Sequence, residues 1–147
     1  MRIIALQGKH DTGKTTTLKK LIETIWNEDC FEHEQIIGEF CSKGEMRCWV
    51  TRNGIKIGIT TRGDSVAGLR GDFFEKRHNF RDRNLVICAI RFRGKTEEFV
   101  RSHAADGLTV CKKVIAEPKL QKSTNASQAE AILAILLQSV KELEETT

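Results

Sequence analysis

The sequence has no tyrosine, a single proline and no apolar run as long as a membrane span. Its most apolar region, residues 129–140, is interrupted by polar side chains and therefore predicts a core helix rather than a transmembrane helix. The apolar run at the N-terminus is too short for a signal peptide. From these absences we expect a cytoplasmic protein without a membrane partner, and 147 residues fit a single domain, 1–147.

Signals for metal and disulfide chemistry are also missing. Five cysteines lie far apart without a C-x-x-C pair, and four histidines share no ligand spacing. Cysteines in or beside apolar runs usually pack as small hydrophobic side chains. We therefore expect neither a structural metal site nor a disulfide framework. The net charge of +4 is mild and does not by itself identify a partner.

The most specific feature that is present is a glycine-rich motif near the N-terminus. Residues 8–15 read GKHDTGKT and fit the pattern G-x-x-x-x-G-K-[ST]. The apolar run at 2–7 predicts a strand before the motif, and the apolar spacing after it predicts a helix from Thr15 to about Asn27. Strand, glycine loop and helix form the context that this motif requires. At these residues the sequence resembles the P-loop NTPase superfamily.

The resemblance implies that the chain binds a nucleoside triphosphate together with Mg²⁺. In such a loop, successive backbone N–H groups point at phosphate oxygens, and the following helix adds the partial positive charge of its N-terminus. Lys14 would reach the β- and γ-phosphates, and the Thr15 hydroxyl would join the Mg²⁺ shell. The expected nucleotide contacts are Gly8, Lys9, His10, Asp11, Thr12, Gly13, Lys14, Thr15 and Thr16.

Asp11 is an unusual residue in this loop, because an acid beside an anion costs energy unless its side chain points away. Two interpretations stay open. Asp11 either faces the substrate side, where kinases of small molecules place an acceptor, or braces the loop through a hydrogen bond to the backbone.

The rest of the chain predicts alternating strands and helices. Further strands are expected at residues 35–40, 46–52, 55–61, 85–90 and 107–116. Further helices are expected from Asp64 or Ser65, over 96–103, and from Ser127, where Glu130 would complete a capping box. Asn53-Gly54 between two alternating runs predicts a type I′ hairpin.

This pattern predicts an α/β protein with a three-layer P-loop NTPase fold. Its sheet is mostly parallel, contains an antiparallel hairpin at about residues 46–61, and carries helices on both faces. The run at 85–90 is apolar throughout, which is typical of a parallel strand buried on both faces. The functional site is expected past the carboxyl ends of the central strands.

A phosphoryl-transfer enzyme also needs a second carboxylate for Mg²⁺ and cations for the transferred group. Asp64 follows an apolar strand and is the candidate second ligand beside Thr15, although four residues separate it from the hydrophobic run. The alternative is that Asp64 only caps the next helix. Arg62, Arg91 and Arg93 each follow a predicted strand and are candidate phosphate clamps, of which Arg62 and Arg91 are favoured. The candidate catalytic residues are Lys14, Arg62, Asp64 and Arg91.

Three functions remain open. The favoured one is an ATP- and Mg²⁺-dependent phosphotransferase similar to nucleoside, nucleotide or small-molecule kinases, with residues 91–95 resembling an arginine-bearing lid. The second is a switch-type ATPase that regulates a protein or nucleic-acid partner. GTP is disfavoured because no Asn-Lys-x-Asp segment follows the strand at 85–90.

The third is a binding module, or a nucleic-acid-handling ATPase that uses the basic region 62–101. Without tyrosine, and with the phenylalanines on apolar faces, the chain lacks an aromatic platform for bases. The acceptor and the oligomeric state, including a homo-oligomer, stay open.

Overall fold

A computed structural model describes residues 1–9, 12–41 and 43–146. Within them, the chain forms six strands and four α-helices, and a π-helical segment, Gly71–Glu75, directly continues the second helix. The elements are β1 (Arg2–Gln7), α1 (Lys14–Trp26), β2 (Glu32–Ile37), β3 (Arg47–Arg52), β4 (Ile55–Thr60), α2 (Val66–Arg70), β5 (Leu85–Ile90), α3 (Lys95–His103), β6 (Leu108–Lys112) and α4 (Gln121–Glu145).

All six strands belong to one mixed sheet in the order β2-β3-β4-β5-β1-β6. The pairs β4–β5, β5–β1 and β1–β6 are parallel, whereas β2–β3 and β3–β4 are antiparallel. The chain is therefore an α/β protein with a mixed, mostly parallel sheet, as predicted. β1, the strand that leads into the glycine loop, lies between two parallel neighbours.

Helices cover both faces of this sheet. Alternate residues of a strand point to opposite faces, so each strand contributes side chains to two cores. Ile4 and Leu6 of β1 belong to the core beneath α1 and α4. Ile3 and Ala5 belong to the second core, beneath α2, the π-helical segment and α3. Every residue of β5 is buried, which explains why its sequence is apolar throughout.

The predicted hairpin is confirmed. Arg52 pairs with Ile55, and the two residues between them have positive φ angles, 52° at Asn53 and 79° at Gly54. A type I′ turn requires that combination. β4 lies deeper in the sheet than β3, with four successive buried residues from Ile57 to Thr60.

Two strands, β2 and β6, differ from their expected bounds, and β2 begins at Glu32, three residues before the predicted start. β2 ends at Ile37 rather than residue 40, because Gly38 has a φ of 107° and turns the chain. A Cβ at that position would lie 2.5 Å from the carbonyl oxygen of Glu45. β6 is shorter than expected because the amide of Val114 leaves the sheet and bonds to Gln128 Oε1.

The capping box predicted at Ser127 is wrong. α4 begins at Gln121, six residues earlier, so that Ser127 lies inside the helix. The early turns carry polar residues, and two of them, Asn125 and Gln128, are buried by tertiary contacts. Apolar periodicity cannot detect a helix start of this kind.

The hairpin provides a test of backbone conformation alone. No atom lies within 4 Å of a Cβ built on Gly54. Gly54→Ala should nevertheless lower the free energy of unfolding by roughly 1 kcal/mol, because a side chain strains the left-handed backbone. Gly54→Asn should lose less, since asparagine tolerates this conformation. Urea unfolding measures both, and an unchanged midpoint for the alanine variant would contradict the turn assignment.

Candidate functional site

The carboxyl ends of the four parallel strands meet at one edge of the sheet. The glycine loop follows β1 there, residues 61–65 follow β4, residues 91–94 follow β5, and Lys113 follows β6. Ligands of open α/β sheets bind at this edge. The sequence prediction places the site at this edge.

The glycine loop is anchored to β5 and ends in a left-handed residue. The amide of Gly8 donates to the carbonyl of Ile90 over 3.2 Å, and Gly13 has a φ of 87°. A Cβ on Gly8 would approach both Thr12 Oγ1 and the Lys113 side chain to 2.9 Å. Both motif glycines thus occupy positions where a side chain is costly. The predicted contact residues His10 and Asp11 lie outside the described residues.

The N-terminus of α1 opens at the end of this loop. Gly13 is the N-cap residue, and among the described residues no side chain caps the helix and no acid lies in its first turn. First-turn N–H groups have no acceptor within their own helix. Together with the helix dipole, they form a region of partial positive charge at Lys14, Thr15 and Thr16.

Lys14 is buried at the centre of the site, with only 7% of the residue exposed. Its ammonium donates to the carbonyl of Gly8 over 2.6 Å and to that of Ile90 over 3.1 Å. Burial lowers the pKa of Lys14, the nearby Asp64 carboxylate acts to raise it, and the Arg91 guanidinium lowers it further. The structure therefore brings Lys14, Asp64 and Arg91 close enough for their charges to interact.

A cleft of about 440 Å³ lies over Lys14 and Asp64, and we call it the loop cleft. Its walls are residues 12–16, Asp64, Lys43 and Glu45. Lys43 and Glu45 come from the connection between β2 and β3, which sequence reasoning did not associate with the site. No motif or periodicity marks that connection, and only the fold brings it next to the glycine loop.

Of the two roles considered for Asp64, the capping of α2 falls to its neighbour Ser65. Ser65 is the N-cap of α2, because its hydroxyl accepts a hydrogen bond from the amide of Gly68 over 3.0 Å. Asp64 instead lines the loop cleft and is exposed. Gly63 holds the segment tightly against β5, since a Cβ there would lie 2.2 Å from the carbonyl oxygen of Ala89.

The Arg62 side chain pairs with a carboxylate that lies outside the loop cleft. Its Nε lies 3.5 Å from the carboxylate of Asp72, which is completely buried, and Arg62 is not among the residues that line the loop cleft. Asp72 also accepts hydrogen bonds from Thr60 Oγ1 and Lys76 Nζ, each over 2.7 Å. Arg47 Nε lies 3.7 Å away. The role predicted for Arg62 stays a prediction, and the geometry gives this arginine a structural partner.

Sequence reasoning missed Asp72, because an acid followed by Phe73 and Phe74 has no signature beyond its helical context. The π-helical segment carries this carboxylate beneath the end of β4. The Asp72 carboxylate therefore connects β3, the end of β4 and the π-helical segment. The segment that carries Asp64 begins at the same strand end.

Arg91 lies where it was expected, just past β5. Its amide donates to Thr96 Oγ1 over 3.0 Å, and its carbonyl accepts a hydrogen bond from Gln7 Nε2. The same amide group of Gln7 also donates to the carbonyl of Phe92 over 2.9 Å. The last residue of β1 thus fixes the backbone of the connection, while the Arg91 side chain remains exposed.

Within residues 1–9, 12–41 and 43–146, no three His, Cys, Asp or Glu side chains form a cluster that could hold a metal ion. A cation at the loop cleft would accordingly need hydroxyl and phosphate oxygens in addition to carboxylates. Burial raises the pKa of the Cys48 and Cys88 thiols to about 12, so both behave as packed apolar groups. None of the described helices is both long enough and apolar enough to span a bilayer.

Comparisons with protein-family models, with curated proteins and with solved structures gave no significant match. The function is therefore inferred from the motif and from the geometry of the site.

The Asp72 cluster yields a stability prediction. Asp72→Asn should lower the free energy of unfolding by about 3 kcal/mol, because it removes the buried counter-charge of three partly exposed cations, Arg47, Arg62 and Lys76. Glu97→Gln, which breaks an exposed pair with Arg101, should change it by less than roughly 0.5 kcal/mol. Thermal or urea unfolding compares the two, and equal effects would show that Asp72 does not organise the cluster.

Proposed function

We propose that the chain is a P-loop protein that binds ATP with Mg²⁺ in the loop cleft and acts as a small phosphotransferase. The observation that carries the proposal is the position of Lys14. Its ammonium folds back across the glycine loop to the carbonyls of Gly8 and Ile90, beside a helix N-terminus that no described side chain caps. A strand, glycine loop and helix in this order support a P-loop NTPase fold.

A polyphosphate chain fits the charges and the shape of the site. The first-turn amides, the Lys14 ammonium and the exposed Lys43 can all face anionic oxygens in a cleft of about 440 Å³. Burial already disfavours the charged form of Lys14, and an anion beside it would offset that cost. The residues proposed to hold the phosphates are those of the loop and first turn, Gly8 to Thr16.

The two acids of the cleft support a bound cation. Asp64 and Glu45 would repel a polyphosphate unless a cation lay between their carboxylates and the phosphate oxygens. Thr15 and Asp64 are the proposed ligands of Mg²⁺, which keeps several waters and prefers hydroxyl, carboxylate and phosphate oxygens. When bound, Mg²⁺ supplies neutralisation of the charge on the phosphate oxygens.

Arg91 is proposed to stabilise the transferred phosphoryl group. Its charge acts on Lys14, and its backbone is fixed by Thr96 and Gln7. Arginine keeps its charge at all physiological pH values and suits phosphate oxygens. ATP is proposed over GTP because the segment after β5 lacks the residues that read guanine.

One observation favours the alternative, a switch-type ATPase that regulates a partner. Glu45 and the segment before Asp64 are joined, because the Thr61 hydroxyl donates to the Glu45 carboxylate and the Met46 amide donates to Thr61 Oγ1. Glu45 precedes the β3–β4 hairpin, and the segment that leads to Asp64 follows it. These two walls of the loop cleft are therefore linked to each other. A change at the phosphate could be transmitted to the hairpin through this link.

ADP formation separates these functions. Purified protein is incubated with Mg²⁺ and ATP or GTP, alone and with nucleosides, nucleotides or small hydroxyl compounds. The phosphotransferase predicts ADP that depends on an acceptor, and the switch predicts slow ADP release without one. Absence of both nucleotide binding and ADP formation would contradict the proposal.

Lys14→Met should weaken Mg²⁺·ATP binding roughly tenfold to hundredfold, because charged hydrogen bonds contribute about 1.5–3 kcal/mol. The measurement is the ATP-dependent rise in unfolding temperature. Lys56→Met is the matched control, because Lys56 is half-exposed, lies near the start of β4 and so faces the opposite edge of the sheet. Unaltered ATP binding by the Lys14 variant would remove the loop from the mechanism.

Asp64→Asn should abolish most of the affinity that Mg²⁺ adds to ATP binding, while ATP binding in EDTA should equal or exceed the wild-type level. The reason is that the variant loses a charged Mg²⁺ ligand but none of the proposed phosphate contacts. Titrations with and without Mg²⁺ measure the difference. Asp29→Asn, an exposed acid beyond the far end of α1, is the control. If Asp64→Asn keeps the full Mg²⁺ increment, Asp64 is not a ligand.

A further inference from the structure

A second cleft lies beside the loop cleft, between α1, the start of α4 and the connection after β2. It encloses about 570 Å³, within the usual range of small-molecule sites. We call it the lysine cleft, because its walls include Lys19, Lys20, Lys43 and Lys122, with Glu23 and Phe40. Thr15, Thr16 and Lys43 line both clefts, so the two are contiguous.

The charge of the lysine cleft selects an anion. Among the described residues, four lysines and one acid, Glu23, line the cleft, and the Glu23 carboxylate already lies 3.6 Å from Lys20 Nζ. Lys19 is mostly buried, with its ammonium bonded to the carbonyl of Glu39 over 3.3 Å, so its position is fixed. Lysine ammonium groups bind phosphate as point charges, and a multiply charged anion would relieve their mutual repulsion.

The apolar part of the wall suits a planar ring. Phe40 is 38% exposed, which leaves part of its ring available for contact. An aromatic ring beside cations provides a stacking surface for a base next to a phosphate site.

From this geometry we propose that the lysine cleft binds the phosphoryl acceptor and that the acceptor is a nucleoside monophosphate. The inference rests on the proposed function, since it names the second substrate of the same site. Its phosphate would face the lysines, its base would stack on Phe40, and the shared wall would bring the two substrates together. Such proximity is what a transfer between two bound molecules requires.

The chemistry balances without a general base. The acceptor phosphate is ionised at neutral pH, because its second pKa is about 6. One of its oxygens forms a bond to the γ-phosphorus, and the bond from that phosphorus to the β–γ bridging oxygen breaks. The electron pair leaves with ADP, so ATP and the monophosphate give ADP and a nucleoside diphosphate. Lys43, which borders both clefts, lies between the two anions.

The test uses the double variant Lys20→Gln/Lys122→Gln, which removes two exposed cations of the lysine cleft and none of the loop cleft. The probes are AMP, GMP, CMP and UMP, each compared with its nucleoside, and Mg²⁺·ATP. We expect at least one monophosphate to raise the unfolding temperature of the wild type and to accelerate ADP formation, whereas its nucleoside does neither. The double variant should bind that monophosphate roughly tenfold more weakly and bind Mg²⁺·ATP as the wild type does.

Lys141→Gln, an exposed lysine near the other end of α4, is the matched control and should change neither ligand. The acceptor assignment is overturned if no monophosphate affects the wild type, or if the double variant keeps full monophosphate binding. Equal loss of ATP and monophosphate binding would also overturn it, because the lysine cleft would then hold the nucleoside part of ATP. Failure of ATP binding in the wild type itself would instead refute the proposed function.

Discussion

A buried ammonium is the interaction on which the site depends. Lys14 binds the carbonyls of Gly8 and Ile90, and Ile90 also accepts the amide of Gly8. The end of β5 therefore fixes both the first residue of the glycine loop and the lysine that follows it. Desolvation of this charge lowers the pKa of Lys14, so an anion in the adjacent cleft would be favoured.

The segment that follows β4 at this edge of the sheet is positioned by β5 and by the buried carboxylate of Asp72. Gly63 packs on the carbonyl of Ala89, where a side chain has no room, and this contact holds the segment that leads to Asp64. Asp72 binds Thr60 and pairs with Arg62 beneath the same segment. Of the arginines expected at the phosphates, Arg62 is thus paired with Asp72, whereas Arg91 remains exposed just past β5.

Local signals in the sequence were sufficient for the Asn53-Gly54 turn and the buried strand β5. Each depends on residue types that adopt few other structures: glycines at tight turns, and an apolar run buried on both faces. Lys43 and Asp72 could not be predicted, because long-range packing alone brings them to their partners. The start of α4 was missed for a related reason, since polar residues such as Asn125 are buried there by tertiary contacts.

Binding of inorganic tripolyphosphate, monitored through backbone amide resonances, tests the central claim most directly, since this ligand has neither base nor ribose. If amides at the start of α1 hold a phosphate chain, the resonances of residues 12–16 should shift on titration. Those of the Asn53-Gly54 turn, at the opposite edge of the sheet, should not. Tripolyphosphate that leaves residues 12–16 unperturbed at saturating concentration, or that binds only elsewhere, would contradict the account.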